Sequence, residues 1–128
     1  MNWLDTVSSS LLSKDLDGLW VRQQAISDNM ANFETPGYKA KQVSFENELQ
    51  AQLAGTASSQ TDAIQGIEGV TPAVSEKSDE TLRADGNGVD LEQQMIDMVR
   101  TSTNYSYSIR QLGDYFSRLN TAITGSAK

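Results

Sequence analysis

The chain has no cysteine and no histidine. That removes disulfides, thiol nucleophiles, imidazole bases and the usual ligands of zinc, copper and haem, and no cofactor is expected. It holds only two prolines, aromatics make up 7% of its 128 residues, and apolar residues 38%, so a large single core is not expected. No apolar run is long enough to cross a bilayer, and residues 1–20 lack the basic start and continuous apolar stretch of a cleavable secretory signal. Paired acids such as Glu46 with Glu48, or Asp79 with Glu80, sit in polar surroundings that cannot raise a pKa, and no nucleophile has a base beside it; the chain does not read as an enzyme.

The net charge of −7 argues against nucleic acid as a partner, and Tyr105, Tyr107 and Tyr115 suit packing better than base stacking. The charge is unevenly placed. Residues 1–33 carry four acids and two bases, 42–80 seven acids and one base, and 91–128 three acids and four bases. Near-neutral flanks around an acidic centre suggest flanks that pack and a centre that faces water.

Both flanks repeat in heptads. Leu12, Leu16, Leu19, Ile26, Met30 and Phe33 follow an alternating four-three spacing, with Gln23 filling the missing step. Leu4, Val7 and Leu11 offer a second register, and the helix start is expected between Asp5 and Ser10. Leu91, Met95, Met98, Ser102, Tyr105, Ile109, Leu112, Phe116, Leu119 and Ile123 keep the alternation for ten steps, with a partial second stripe at Val89, Ile96 and Thr103. Asp90 is placed to cap this helix with Gln93 as its capping-box partner, and Gly125 marks the end. Helices over about 8–33 and 90–123 would be roughly 40 and 50 Å long at 1.5 Å per residue.

Four segments follow: an N-terminal coiled-coil helix (1–33), a turn and extended segment (34–49), a flexible acidic middle (50–80), and an extended segment with the C-terminal coiled-coil helix (81–128). The middle is rich in Ala, Ser, Thr, Gln, Gly and acids and is expected to bury too little to offset its ordering entropy. The fold class is mainly α: two long helices in an antiparallel coiled-coil hairpin, with a short β-like base in which residues 38–45 pair with 81–89. Pro36 forces Thr35 out of helical conformation, and Pro36-Gly37 suits the centre of a type II turn that redirects the chain. Two such helices leave apolar surface that other copies must cover. Phe45 and Leu49 read as a one-turn hydrophobic pair. The alternating oxygens of Asp85 to Asp90 fail the EF-hand pattern and read as a turn with a helix cap.

The run Asn29-Met30-Ala31-Asn32-Phe33-Glu34-Thr35-Pro36-Gly37-Tyr38-Lys39 resembles the N-terminal signature of bacterial flagellar rod and hook proteins, with Ala31, Asn32, Thr35, Pro36, Gly37, Tyr38 and Lys39 in place. Asp28 departs from the small or amide residue usual there. The stretch from Leu82 to Glu92, with Met95 and the Asn104-Tyr105 region, is most similar to proximal rod proteins of that family. The resemblance implies a structural subunit of the basal-body rod, the drive shaft that carries torque from the rotor ring to the hook, where the rod crosses the periplasm. It implies as partners other rod subunits, rotor-ring or rod-adaptor proteins and the flagellar type III export apparatus, with self-association and an uncleaved export signal. A soluble export chaperone or adaptor is the alternative.

Overall fold

The computed structural model describes residues 6–55, 59–77 and 82–125. Leu4, Asp5, Thr81 and the Asp79-Glu80 pair lie outside them. Among the described residues the chain forms four helices and a two-stranded sheet: α1 (Val7–Ala31), β1 (Lys41–Ser44), α2 (Glu46–Ala54), α3 (Gln60–Gly69), β2 (Ala73–Glu76) and α4 (Leu91–Thr124).

The long helices start and stop where local chemistry directs. Thr6 caps α1: its hydroxyl accepts the Ser9 amide, and its own amide donates back to Ser9 Oγ at 3.0 Å, a reciprocal box in which Ser9 does the work usually done by Glu. Asp90 caps α4 by accepting the Gln93 amide at 3.1 Å. The expected return bond from Gln93 is absent. That side chain reaches forward instead, to Asp97 at 3.0 Å, one turn along the same face. Gly125 ends α4 in left-handed conformation (φ 64°), open to glycine without a Cβ clash.

α1 ends at Ala31, two residues before the expected Phe33. The Thr35 amide then donates to the Asn32 carbonyl and the Tyr38 amide to the Thr35 carbonyl. Gly37 sits at φ 71°, the positive value that the third position of a type II turn demands.

Two expectations are corrected. β1 does lie within residues 38–45, but its partner is β2, in antiparallel register from Lys41 opposite Glu76 to Ser44 opposite Ala73. Residues 82–89 form no strand with β1 and give the turn two isolated backbone bonds, Gly37 N–H to the Asp85 carbonyl and Gly88 N–H to the Tyr38 carbonyl, both 3.0 Å. The middle, expected to be flexible, supplies most of α2, α3 and β2, and the boundary drawn at residue 50 cuts through α2. Leu49, Ile67 and Val70 join Leu19, Val43 and Phe45 in the core, with Tyr105 of α4 packed against it. Ile64 and Ile67 stand three apart on one face of α3, and that face is buried. Phe45 and Leu49 are indeed a one-turn pair, both in the core.

Candidate assembly surface

Two fully buried asparagines hold the turn at the end of α1. Asn29 treats Lys41 as a neighbouring strand would: its Oδ1 accepts the Lys41 amide and its Nδ2 donates to the Lys41 carbonyl, both at 2.8 Å. The same Nδ2 donates to Gln94 Oε1 at 2.8 Å, tying α4 to the junction. Asn87 donates to the carbonyls of Asn32 (3.0 Å) and Thr35 (2.7 Å) and accepts the Val89 amide (2.7 Å). Its own carbonyl accepts the amides of Leu82 and Arg83. Buried amides of this kind must be satisfied, and no buried side-chain polar atom among the described residues lacks a partner.

The oxygens of the Asp85 to Asp90 stretch are thus spent on turn and cap. Asp85 Oδ1 accepts the Asn87 amide, Asn87 Oδ1 that of Val89, and Asp90 Oδ1 that of Gln93.

Around this junction, Asn32 Nδ2 donates to the Asp28 carbonyl and its Oδ1 accepts from the Thr35 hydroxyl. Ala31, Thr35, Pro36 and Gly37 are exposed, and Lys39 is half-buried. Asp28 forms an ion pair with Lys41 at 2.9 Å, whose hydrogen bond raises the lysine pKa above its ordinary 10.5. Burial pushes the Tyr38 phenol above 10. Arg22 lies over the Phe45 ring at 4.9 Å, donates to the Val43 carbonyl at 2.9 Å and to Glu46 at 2.8 Å. Partial burial pushes the Glu46 carboxyl up, but the Arg22 bond and its charge win, so the net shift is downward from 4.5.

α4 presents three rows at heptad spacing, each with a different environment. The row Gln94, Thr101, Ser108, Tyr115 turns to α1. Gln94 meets Asn29, Ser108 donates to Asp15 at 2.6 Å, and Tyr115 accepts from Thr6 at 2.9 Å, while Thr101 and Ser108 are buried. The row Leu91, Met98, Tyr105, Leu112, Leu119 flanks that contact and is half-buried. Met95, Ile109, Phe116 and Ile123, with half-buried Ser102, form the outward row, and all four apolar members are exposed.

Successive residues step about 100° around an α-helix, so the α1-facing row, one residue ahead of the outward one, looks elsewhere. The expected apolar seam is therefore split. Its flanking half touches the molecule and its outer half faces water, while the polar row Gln94, Thr101, Ser108 and Tyr115 faces α1. On α1, Leu19 and Ile26 are buried, Leu12, Leu16 and Met30 half-buried, and Phe33 half-buried beyond the helix end. Ile96, from the partial second stripe, is exposed, and Val99 and Tyr107 of α4 with Trp20 of α1 add exposed apolar surface that the heptad pattern had not marked. Their positions off the seam explain why.

No family model matches the chain. Curated relatives do. The flagellar basal body rod protein FlgB of Bacillus subtilis (strain 168) is 30% identical over 108 residues, which cover 82% of this chain and 84% of the relative. The chain belongs to the FlgB family of flagellar basal body rod proteins. The FlgB of Aeromonas hydrophila is 31% identical over 111 residues, 81% of this chain and 83% of its own. That of Borrelia hermsii is 29% identical across 91% of this chain and 96% of its own. Their names describe a rod protein, which is consistent with a chain that is not an enzyme and does not favour the chaperone reading. No helix among the described residues is long and apolar enough to cross a membrane.

Proposed function

We propose that this rod-family subunit polymerises through its terminal helices, and that the outward row of α4 is the surface it offers to neighbouring copies. The observation that carries the reading is the exposure of Met95, Ile109, Phe116 and Ile123 at one heptad position, beside a contact made by polar side chains. Apolar residues at a fixed repeat along more than three heptads of solvent-facing helix are stabilised once a second helix covers them.

The register supports an antiparallel coiled-coil hairpin within the subunit. Asn29 to Asp15 and Gln94 to Ser108 each span fourteen residues, two heptads, and the paired bonds run in opposite chain order. In this reading the polar row sets the register of the hairpin and the apolar row is left for assembly. Helices packed side by side and in many copies would resist twisting, which suits a drive shaft between rotor ring and hook in the part of the rod that crosses the periplasm. Delivery by the type III export apparatus without a cleaved signal, and contact with rotor-ring or rod-adaptor proteins, belong to the same reading. The signature residues Asn29, Ala31, Asn32, Thr35, Pro36, Gly37, Tyr38 and Lys39 build the junction that fixes the angle at which α1 and α4 leave the turn.

The test is incorporation. Ile109→Ser with Phe116→Ser is expected to leave helix content unchanged while removing the subunit from isolated basal bodies and abolishing motility. A strain in which this double variant assembles normally would reject the surface.

A further inference from the structure

We propose that Asn87 is a site of spontaneous deamidation, which the folded junction suppresses and a chain that stays unfolded undergoes. The sequence holds seven asparagines, and Asn87 alone precedes a glycine. The following residue governs this reaction, because its backbone nitrogen is the nucleophile and a Cβ beside it obstructs the approach. Gly88 has no Cβ and lets an unfolded backbone turn freely. Its nitrogen loses a proton to solvent base and attacks Cγ of Asn87. A carbon–nitrogen bond forms, the bond from Cγ to Nδ2 breaks, and ammonia departs from the succinimide ring that results. Water then opens the ring at either carbonyl, giving aspartate, or isoaspartate in which Cβ has entered the main chain.

In the fold each of these steps is held back. Asn87 is fully buried and Gly88 is buried beside it, so water and base are kept from the reacting atoms. The Gly88 N–H, the proton that must leave, is donated to the Tyr38 carbonyl at 3.0 Å. Nδ2, the leaving group, is tied to the carbonyls of Asn32 and Thr35, and Oδ1 accepts the Val89 amide, so the carboxamide has no freedom to swing. Those two carbonyls lie 55 and 52 residues away in sequence, and the protection exists only once the turn after α1 has met the segment before α4. The products do not fit there. Either acid sets an oxygen where Nδ2 met two carbonyls, and isoaspartate also lengthens the backbone between Gly86 and Gly88. A chain slow to fold therefore loses, through its own chemistry, the residue that closes the junction.

The experiment incubates the purified full chain at about pH 8 in buffer and in concentrated guanidinium and follows the tryptic peptide 84–100 by mass spectrometry. Conversion of amide to acid raises the mass, whereas isomerisation at the exposed Asp85 does not, so the two are told apart. In denaturant Asn87 is expected to convert well ahead of Asn29, which is equally buried in the fold but precedes Met30. In buffer its conversion is expected to be slower by roughly a hundredfold or more, the factor set by how rarely the junction opens. Gly88→Ala, measured in denaturant where folding plays no part, is expected to slow the reaction about tenfold. Gly37→Ala, which places a Cβ at φ 71°, is expected to quicken it roughly fivefold in buffer and leave the denatured rate unchanged. Chains converted in denaturant and returned to buffer are expected to unfold at lower denaturant than the parent, as Asn87→Asp is. Equal rates in buffer and denaturant, Asn29 converting as fast as Asn87, either glycine variant without effect, or converted chains as stable as the parent overturn the proposal.

Discussion

A single amide at position 87 closes the turn, because its nitrogen has two carbonyls to satisfy and its oxygen one amide. Asn87→Asp keeps the shape and reverses the chemistry: carboxylate oxygens would face the carbonyls of Asn32 and Thr35. The loss is expected to be about 3 kcal/mol near neutral pH, from unsatisfied acceptors and a buried charge. Such a carboxyl has a folded pKa raised above its ordinary value, so the neutral form is favoured in the fold. The penalty is then smallest at acid pH and grows as pH rises past the ordinary carboxylate range; urea unfolding at pH 4.5 and 7 measures the difference. Gly18 is a second tight point. A Cβ there would lie 2.6 Å from the ring of Phe45, which is itself buried. Gly18→Ala gains about 1 kcal/mol of helix propensity and loses more to overpacking, for an expected net destabilisation of about 1 to 2 kcal/mol in the same measurement.

At the scale of elements, the long helices were legible because heptad spacing, Asp90 and Gly125 are local signals that packing then reinforced. Most of the turn was legible too, since Pro36-Gly37 leaves few conformations. The middle was not. α3 announces itself through Ile64, Ile67 and Val70 alone, diluted among Gln, Gly and acids, and β2 is exposed at all four positions and carries no alternation. Its pairing with β1 depends on a contact some thirty residues away in sequence, which no local pattern encodes. The split of the α4 seam was hidden for another reason: a search for apolar repeats passes over Gln94, Thr101 and Ser108, although they repeat at the same interval. Ile67 tests whether the middle is part of the fold or an appendage. It is fully buried, so Ile67→Ala is expected to cost about 2 to 4 kcal/mol. Hydrogen exchange should then show amides of β1 and of the adjoining part of α1 losing protection together with α3; loss confined to α3 would mean the middle folds apart from the helices.

At the scale of the whole molecule, the missing histidines and cysteines leave no side chain whose ordinary pKa falls between the carboxylates and the phenols. Stability should therefore be flat from about pH 6 to 9, with Glu46, Lys41 and Tyr38 shaping the edges. The Glu46 pKa is depressed in the fold, so its contribution is fully present above its ordinary 4.5 and disappears as pH falls through the lower folded value. With the carboxylate about half exposed, that contribution is on the order of 0.5 kcal/mol. On the alkaline side, Lys41 contributes below its ordinary 10.5 and loses that as pH rises through its raised folded value, while the raised Tyr38 favours the neutral phenol and penalises the fold only above about 10. A second effect opposes Glu46 at acid pH. The net charge of −7 shrinks as pH approaches the isoelectric point near 4.4, relieving self-repulsion within a chain and between copies. Salt separates the two, because it screens the diffuse repulsion more than the close Arg22–Glu46 pair. In high salt the thermal midpoint should fall below about pH 4.5, and Glu46→Gln should blunt that fall. In low salt the relief of repulsion should offset part of it. A midpoint that drifts steadily across pH 6 to 9 would show a titrating group whose environment differs from the one described.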